Sequence, residues 1–330
     1  MAAGLAGAAR AASNGWRLWA CMVNSRDWVV GAKLPASGLM VRASSGWEQR
    51  GFNHPLVTGV DWDGRDPSTL YLSAGNGVIR ASEEGRKWKI LSDHRITELR
   101  DIAVDKEKAG TMYAGHTAGL AATRDGGATW ENLTPDAKRP YVEAARIDRT
   151  AGARLVAGGE RGLFLSEDAG KKWRPVGAAG LQIMHLEQSP HAAEDWIAAT
   201  MMGGALRSRD GARTWEHINE KRVGYNLGAG RNLYDVAFDP ATKGRIALAG
   251  FGPGVYVTED AGANWHQRSV GLPRWDVWSV AWDPQQPGRL YASVHEHAVY
   301  VSNDAGRHWE QEGLDGSAVY RMRFVPEASR

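Results

Sequence analysis

"VSNDAGRHWEQE", residues 301–312, sets a hydroxyl residue, an aspartate, a glycine and a tryptophan at fixed offsets. The same phrase stands earlier as "VTEDAGANWHQR" (257–268), "RSRDGARTWEHI" (207–218), "LSEDAGKKWRPV" (165–176) and "ATRDGGATWENL" (122–133), with a worn copy, "RASEEGRKWKIL", at 80–91. Its tryptophans are Trp88, Trp130, Trp173, Trp215, Trp265 and Trp309, separated by 42, 43, 42, 50 and 44 residues. A step of 41 back from Trp88 reaches Trp47 in "GLMVRASSGWEQR", a shortened copy. Seven tryptophans at this period match the roughly 40–45 residues of a four-stranded propeller blade.

Each period carries the remaining strands in order. A strand of the type "WDVWSVAWDP" (275–284) or "LYDVAFDP" (233–240) comes first, then a short apolar strand such as "RLYASV" (289–294), then "AVYVS" or "GVYVT" running into the phrase. These are β-branched and aromatic runs of 4–7 residues, broken by turn residues as strands are. With the strands of a blade lettered a to d, the phrase is the c–d hairpin. A turn carboxylate accepts hydrogen bonds from otherwise unpaired N–H groups, glycine supplies positive φ, and tryptophan buries a broad face between blades. Asp125, Asp168, Asp210, Asp260 and Asp304 are therefore read as structural turn-makers.

On these motifs the chain resembles the Asp-box (BNR) repeat family of β-propellers, whose signature S-x-D-x-G-x-x-W is kept at Ser166/Asp168/Gly170/Trp173 and Ser302/Asp304/Gly306/Trp309. Thr123 and Thr258 replace the serine, Ala212 stands at one glycine place, and Ala81 and Glu83 degrade another copy. The resemblance spans about residues 16–326. It implies an all-β, seven-bladed β-propeller of four-stranded blades with Asp-box c–d hairpins, its ring closed by the terminal strands.

The chain ends bear on that closure. "SAVYRMRFVP" (317–326) aligns with an a strand but has no b, c and d strands after it. The preferred reading pairs 318–325 with N-terminal strands in one blade, 28–52 ("WVVGAK", "GLMVRAS", "GWEQRGF") supplying b, c and d. The competing reading makes "WRLWACMV" (16–23) that blade's a strand and 318–325 a tail. Residues 1–14, "MAAGLAGAARAASN", read as a disordered leader ahead of a single domain over 15–330, and Arg10 interrupts the apolar centre a signal peptide needs.

Composition narrows the partners. Forty Lys+Arg against 38 Asp+Glu give +2, too balanced to imply nucleic acid. No run approaches the ~18–20 apolar residues of a membrane helix. The single Cys21 excludes an intrachain disulfide and a cysteine-based zinc site. No cofactor and a monomeric state are expected.

In a propeller the d–a and b–c loops share one face and the Asp boxes lie on the other, so the first face is the candidate working surface. Alignment of the a strands on the residue that closes them puts Gly59, Asp101, Ala144, His185, Asp235, Ser279 and Arg321 four places before that end. Asp61, Ala103, Arg146, Glu187, Ala237, Ala281 and Arg323 stand two places before it. Asp101, Asp235, Asp61 and His185 are the catalytic candidates, and Arg146, Arg321, Arg323 and Glu187 candidate ligand-binding residues. The d–a loops add Arg100, Arg139, Trp275 and Trp278, and the long insertion "INEKRVGYNLGAGRNLYD" (218–235) adds Arg222, Tyr225 and Tyr234. Mutual ion pairing within the channel is the competing reading of these charges. "HEH" (295–297) is the best metal candidate and needs a third ligand such as His116 or His185.

Two function classes follow from the resemblance. Photosystem II assembly/stability factors bind partner proteins through a basic face, which Arg95, Arg100, Lys138, Arg139, Arg146, Lys221, Arg222 and Arg274 would supply. Sialidases and xyloglucan hydrolases use Asp-box propellers for glycoside hydrolysis. The sialidase Arg-Ile-Pro motif is absent, Arg95-Ile96-Thr97 being the nearest string, and the xyloglucan enzymes join two propellers where this chain holds one. The preferred reading is a ligand- or protein-binding propeller that takes an anionic, carbohydrate or protein ligand at the channel mouth. A glycoside hydrolase is second, and a metal-dependent lyase or hydrolase built on His185, His295 and His297 third.

Overall fold

A computed structural model describes residues 15–328, apart from 27, 30, 137, 139, 140 and 219–231. Among the described residues, 28 strands form seven four-stranded antiparallel sheets, the blades of a seven-bladed propeller. No helix among them is long and apolar enough to cross a membrane.

Blade 1 is built from both ends of the chain. Its innermost strand is Ser317–Pro326, followed outward by Trp16–Asn24, Gly38–Ala43 and Gly46–Arg50. The C-terminal strand thus closes the ring from the inside, as preferred. The N-terminal assignment needs correction, because strand b is Trp16–Asn24 and the described residues of "WVVGAK" lie in the b–c loop. The apolar content of "WRLWACMV" fits that place, since Leu18 to Val23 are all buried. The innermost strands of blades 2 to 7 are Val57–Trp62, Asp101–Val104, Val142–Ile147, Gln182–Gln188, Asn232–Phe238 and Val277–Trp282.

Seven apolar clusters hold the ring, one at each junction between neighbouring blades. The alternate a-strand residues Val60, Ile102, Leu186, Val236, Val280 and Met322 are buried in them. Each repeat tryptophan leans on the preceding blade. The Trp130 and Trp309 indoles donate to the Leu91 and Arg268 carbonyls at 3.3 and 2.7 Å. Trp215 packs beside Gly177, and Trp47 beside Gly313 of the last blade, which completes the circle.

The Asp boxes do the work read from them. In the Asp168 copy, the Ser166 hydroxyl donates to Asp168 at 2.9 Å and accepts the Gly170 N–H at 2.9 Å, while Asp168 accepts the Lys172 N–H at 2.8 Å. Gly170 sits at φ +88, where a Cβ would also meet Leu133 at 2.4 Å. The hairpin then reaches back to the a–b turn of its own blade, Ala169 N–H to Ala153 O at 2.7 Å. Asp boxes and a–b turns therefore share one face, and the opposite face belongs to the d–a and b–c loops.

Candidate functional site

An innermost strand has no neighbour on its channel side, so the N–H groups there need other acceptors. The charged residues singled out by alternation supply them across the blade junctions. Asp61 accepts the Val104 N–H at 2.7 Å, Asp101 that of Ala145 at 3.1 Å, Glu187 that of Phe238 at 3.0 Å and Asp235 that of Val280 at 3.0 Å. The Ser279 hydroxyl accepts the Met322 N–H at 2.9 Å. Each bond runs from one blade to the next.

Ion pairs then link these staples through the channel. Arg146 pairs with Asp101 and contacts His185 Nε2, while His185 Nδ1 lies 2.6 Å from Asp235. Asp235 also takes Arg321 and, at 2.7 Å, the Ser279 hydroxyl. In a second layer Asp61 holds Lys106 at 2.6 Å and Arg323 at 3.8 Å. Of the two sequence readings, mutual pairing describes this geometry. Burial works against the Asp235 carboxylate, yet Arg321 and His185 hold it down at about 2. Burial, with Arg321 and Arg146 nearby, lowers His185 to about 4. For Glu187, burial outweighs the Phe238 N–H and the arginines and raises the carboxyl to about 7.

The sequence reading does not see a ring one step nearer the mouth, placing Tyr234 and Trp278 there as loop residues and passing over Tyr320. In six of the seven blades the a–b register shifts once, which leaves Thr58, Glu143, Met184, Tyr234, Trp278 or Tyr320 unpaired. Such a bulge re-aims the extra residue. Only the aromatic residue recurring at this place in three successive a strands hints at it in the sequence, because a bulge breaks the alternation on which faces are assigned.

Three consecutive bulge residues are aromatic and meet across blades. Tyr234 stacks on Trp278 at 5.8 Å between centroids, and Tyr320 lies 5.6 Å from Trp278. His295 of the "HEH" turn stacks on Trp278 at 4.3 Å, with Phe251 edge-on to His295 at 5.9 Å. On blades 3 and 4 the mouth is polar instead. Tyr141 donates to Glu143, and Arg100 lies 5.7 Å from the Tyr141 ring. Burial raises the Glu143 carboxyl from its ordinary value.

The other expectations fare unequally. Trp275 is exposed in the d–a loop before blade 7. Arg95 is tied to Asp93 at 2.7 Å. Arg222, Tyr225 and Arg139 lie outside the described residues. The histidines of "HEH" go separate ways, His297 Nδ1 taking the Tyr300 hydroxyl at 3.0 Å. Among the described residues no group of three or more His, Cys, Asp or Glu side chains could hold a metal.

Comparison with known proteins agrees with this architecture. Residues 80–232 match the family model of the photosynthesis system II assembly factor YCF48. The oligoxyloglucan-reducing end-specific xyloglucanase of Emericella nidulans is 30% identical over 235 residues, 67% of this chain and 25% of that protein, so the chain spans a quarter of its length. Among solved structures, the GH74 xyloglucanase from Xanthomonas campestris superposes with a TM-score of 0.63 at 19% identity, covering 78% of this chain and 45% of that one. YCF48 from Cyanidioschyzon merolae gives 0.59 at 16%, covering 82% and 89%. A YCF48 bound to D1 peptide gives 0.59 at 18%, covering 78% and 82%. At these identities the structures establish the fold: this is an Asp-box propeller similar to both the assembly-factor and the xyloglucanase types.

Proposed function

We propose that this Asp-box propeller is a protein-binding and assembly module that works through its d–a/b–c face. The observation that carries this reading is the asymmetry of exposed apolar side chains. Seven large hydrophobic residues are exposed among the described residues, and six of them (Val29, Phe52, Met202, Phe251, Val270 and Trp275) lie in or at d–a and b–c loops. The seventh, Ile90, is in an outermost strand. Apolar residues gathered on one face mark interaction surfaces. The peptide-bound YCF48 relative supports a polypeptide partner.

The likeness to the xyloglucanase keeps a glycoside hydrolase as the second reading. Retaining or inverting chemistry needs two carboxyl groups about 5–10 Å apart that both reach the sugar. Asp61, Asp101 and Asp235 are buried and bonded to the next blade's backbone. A carboxyl held at about 2, as Asp235 is, carries no proton to donate at neutral pH. We therefore assign these aspartates, with His185, to holding blades together.

The test exposes the full chain to D1 peptide and to other polypeptide probes, with hydrogen–deuterium exchange as readout, and separately to xyloglucan oligosaccharides. Protection confined to d–a and b–c loops, without sugar turnover, is expected. Turnover that is lost in Asp101→Asn or Asp235→Asn, with the fold intact, contradicts the assignment.

A further inference from the structure

The bulge ring is divided by chemistry. The bulge residues of the consecutive blades 5, 6, 7 and 1 are Met184, Tyr234, Trp278 and Tyr320, the three aromatic ones in contact as an arc, whereas blades 3 and 4 present Arg100 and Glu143. The exposed apolar loop residues follow the same division. Met202, Phe251, Val270 and Trp275 stand on blades 5 and 6 and the link to blade 7, directly outside the arc.

Resting on the binding-module reading, we infer that this arc is a docking site for an extended, uncharged stretch of a partner polypeptide carrying aromatic side chains. Charge decides the occupant. Charges of both signs border the arc: Asp276 accepts the Gly252 N–H at 3.1 Å, Glu296 accepts the Ser25 hydroxyl at 2.9 Å, and the exposed Arg274 stands next to Trp275. Tyr234 and His295 both stack on the Trp278 ring. What remains available is ring surface at Phe251 (40% exposed) and Trp275 (45% exposed). Such surface favours offset or edge-on packing of another ring, while a charged side chain of either sign meets a like charge as well as an opposite one, Asp276 and Glu296 against Arg274. The bulges give the site its rigidity, because its central rings sit on innermost strands.

Three sets of synthetic ten-residue peptides on a Gly/Ser backbone test this by calorimetry against the full chain: one bearing two tyrosines or tryptophans, one two aspartates, one two lysines. The aromatic set is expected to bind at least about tenfold more tightly than either charged set. Trp275→Ala and Phe251→Ser, both surface changes, should each weaken it about tenfold or more, as loss of an aromatic anchor does. Phe52→Ser, an exposed aromatic on the same face beside blade 2, should leave it unchanged. Preference for a charged set, with binding lost in Arg100→Ala, overturns the arc and leaves the binding-module reading standing. No binding of any peptide, together with turnover of xyloglucan oligosaccharides, overturns both.

Discussion

The hydroxyl of the Asp box matters as much as its aspartate. Ser166 is buried and its oxygen serves Gly170 and Asp168 together. Ser166→Ala should lower stability by about 1–3 kcal/mol by stranding the Gly170 N–H, measured as a fall in denaturant midpoint at unchanged slope. Gly170→Ala should cost a similar amount, since alanine at φ +88 is strained and its Cβ meets Leu133. Neither change should alter binding on the opposite face. These roles were legible because hydroxyl, carboxylate and glycine act within one turn. Tyr234 and Trp278 read as loop residues at the mouth and Tyr320 is not singled out, because their orientation depends on bulges set by pairing with another strand.

Innermost strands carry the ring's charge, and each junction uses the same device with different residues. Asp235 receives Val280 from blade 7, Arg321 from blade 1 and His185 from blade 5. Arg321→Ala, which leaves Asp235 buried without its cation, should destabilise by about 3–5 kcal/mol. Deletion of 317–330 removes the inner strand of blade 1 and should abolish cooperative unfolding, since it opens a sheet edge along Trp16–Asn24. The a-strand phrase at 317–326 foretold that closure. Strand b of the same blade was misplaced because "WVVGAK" has the composition of a strand, and nothing local distinguishes it from the buried segment Trp16–Asn24. His185 and Glu187, two residues apart, act on stability with opposite signs. Glu187 has a folded value of about 7 above its ordinary 4.5, so its stabilising effect is complete below about pH 4.5 and lost as pH rises through 7. His185 has a folded value of about 4 below its ordinary 6.5, so stability falls as pH drops from 6.5 through 4. The two slopes, each about 1.4 kcal/mol per pH unit, offset one another between pH 4.5 and 6.5. Glu187→Gln should therefore give stability that rises with pH over this range, and His185→Gln stability that falls. A flat profile in both variants contradicts the assignment.

At the scale of the whole molecule, one face is built for order and the other for contact. The Asp boxes tie each c–d hairpin to its a–b turn, while the d–a and b–c loops hold six of the seven exposed large hydrophobics described. Repeat period and loop order made this division legible in the sequence. The division of the mouth into apolar and charged arcs was not, because it joins single residues from strands some 40 positions apart, among them Tyr234, Trp278 and Tyr320. Site-directed blocking tests the division most directly. The one native thiol, Cys21, is buried and raised to about 12, so a bulky maleimide will react only with introduced cysteines. Thr117→Cys and Pro253→Cys carry the label on b–c turns of blades 3 and 6, Lys171→Cys and Asn264→Cys on Asp-box hairpins. Calorimetric titration of the four labelled proteins with an aromatic peptide or D1 peptide should show binding lost with the Pro253 label, weakened with the Thr117 label and intact with the other two. Binding that survives both b–c labels and fails with the Asp-box labels would place the working surface on the wrong side of the ring and contradict the account.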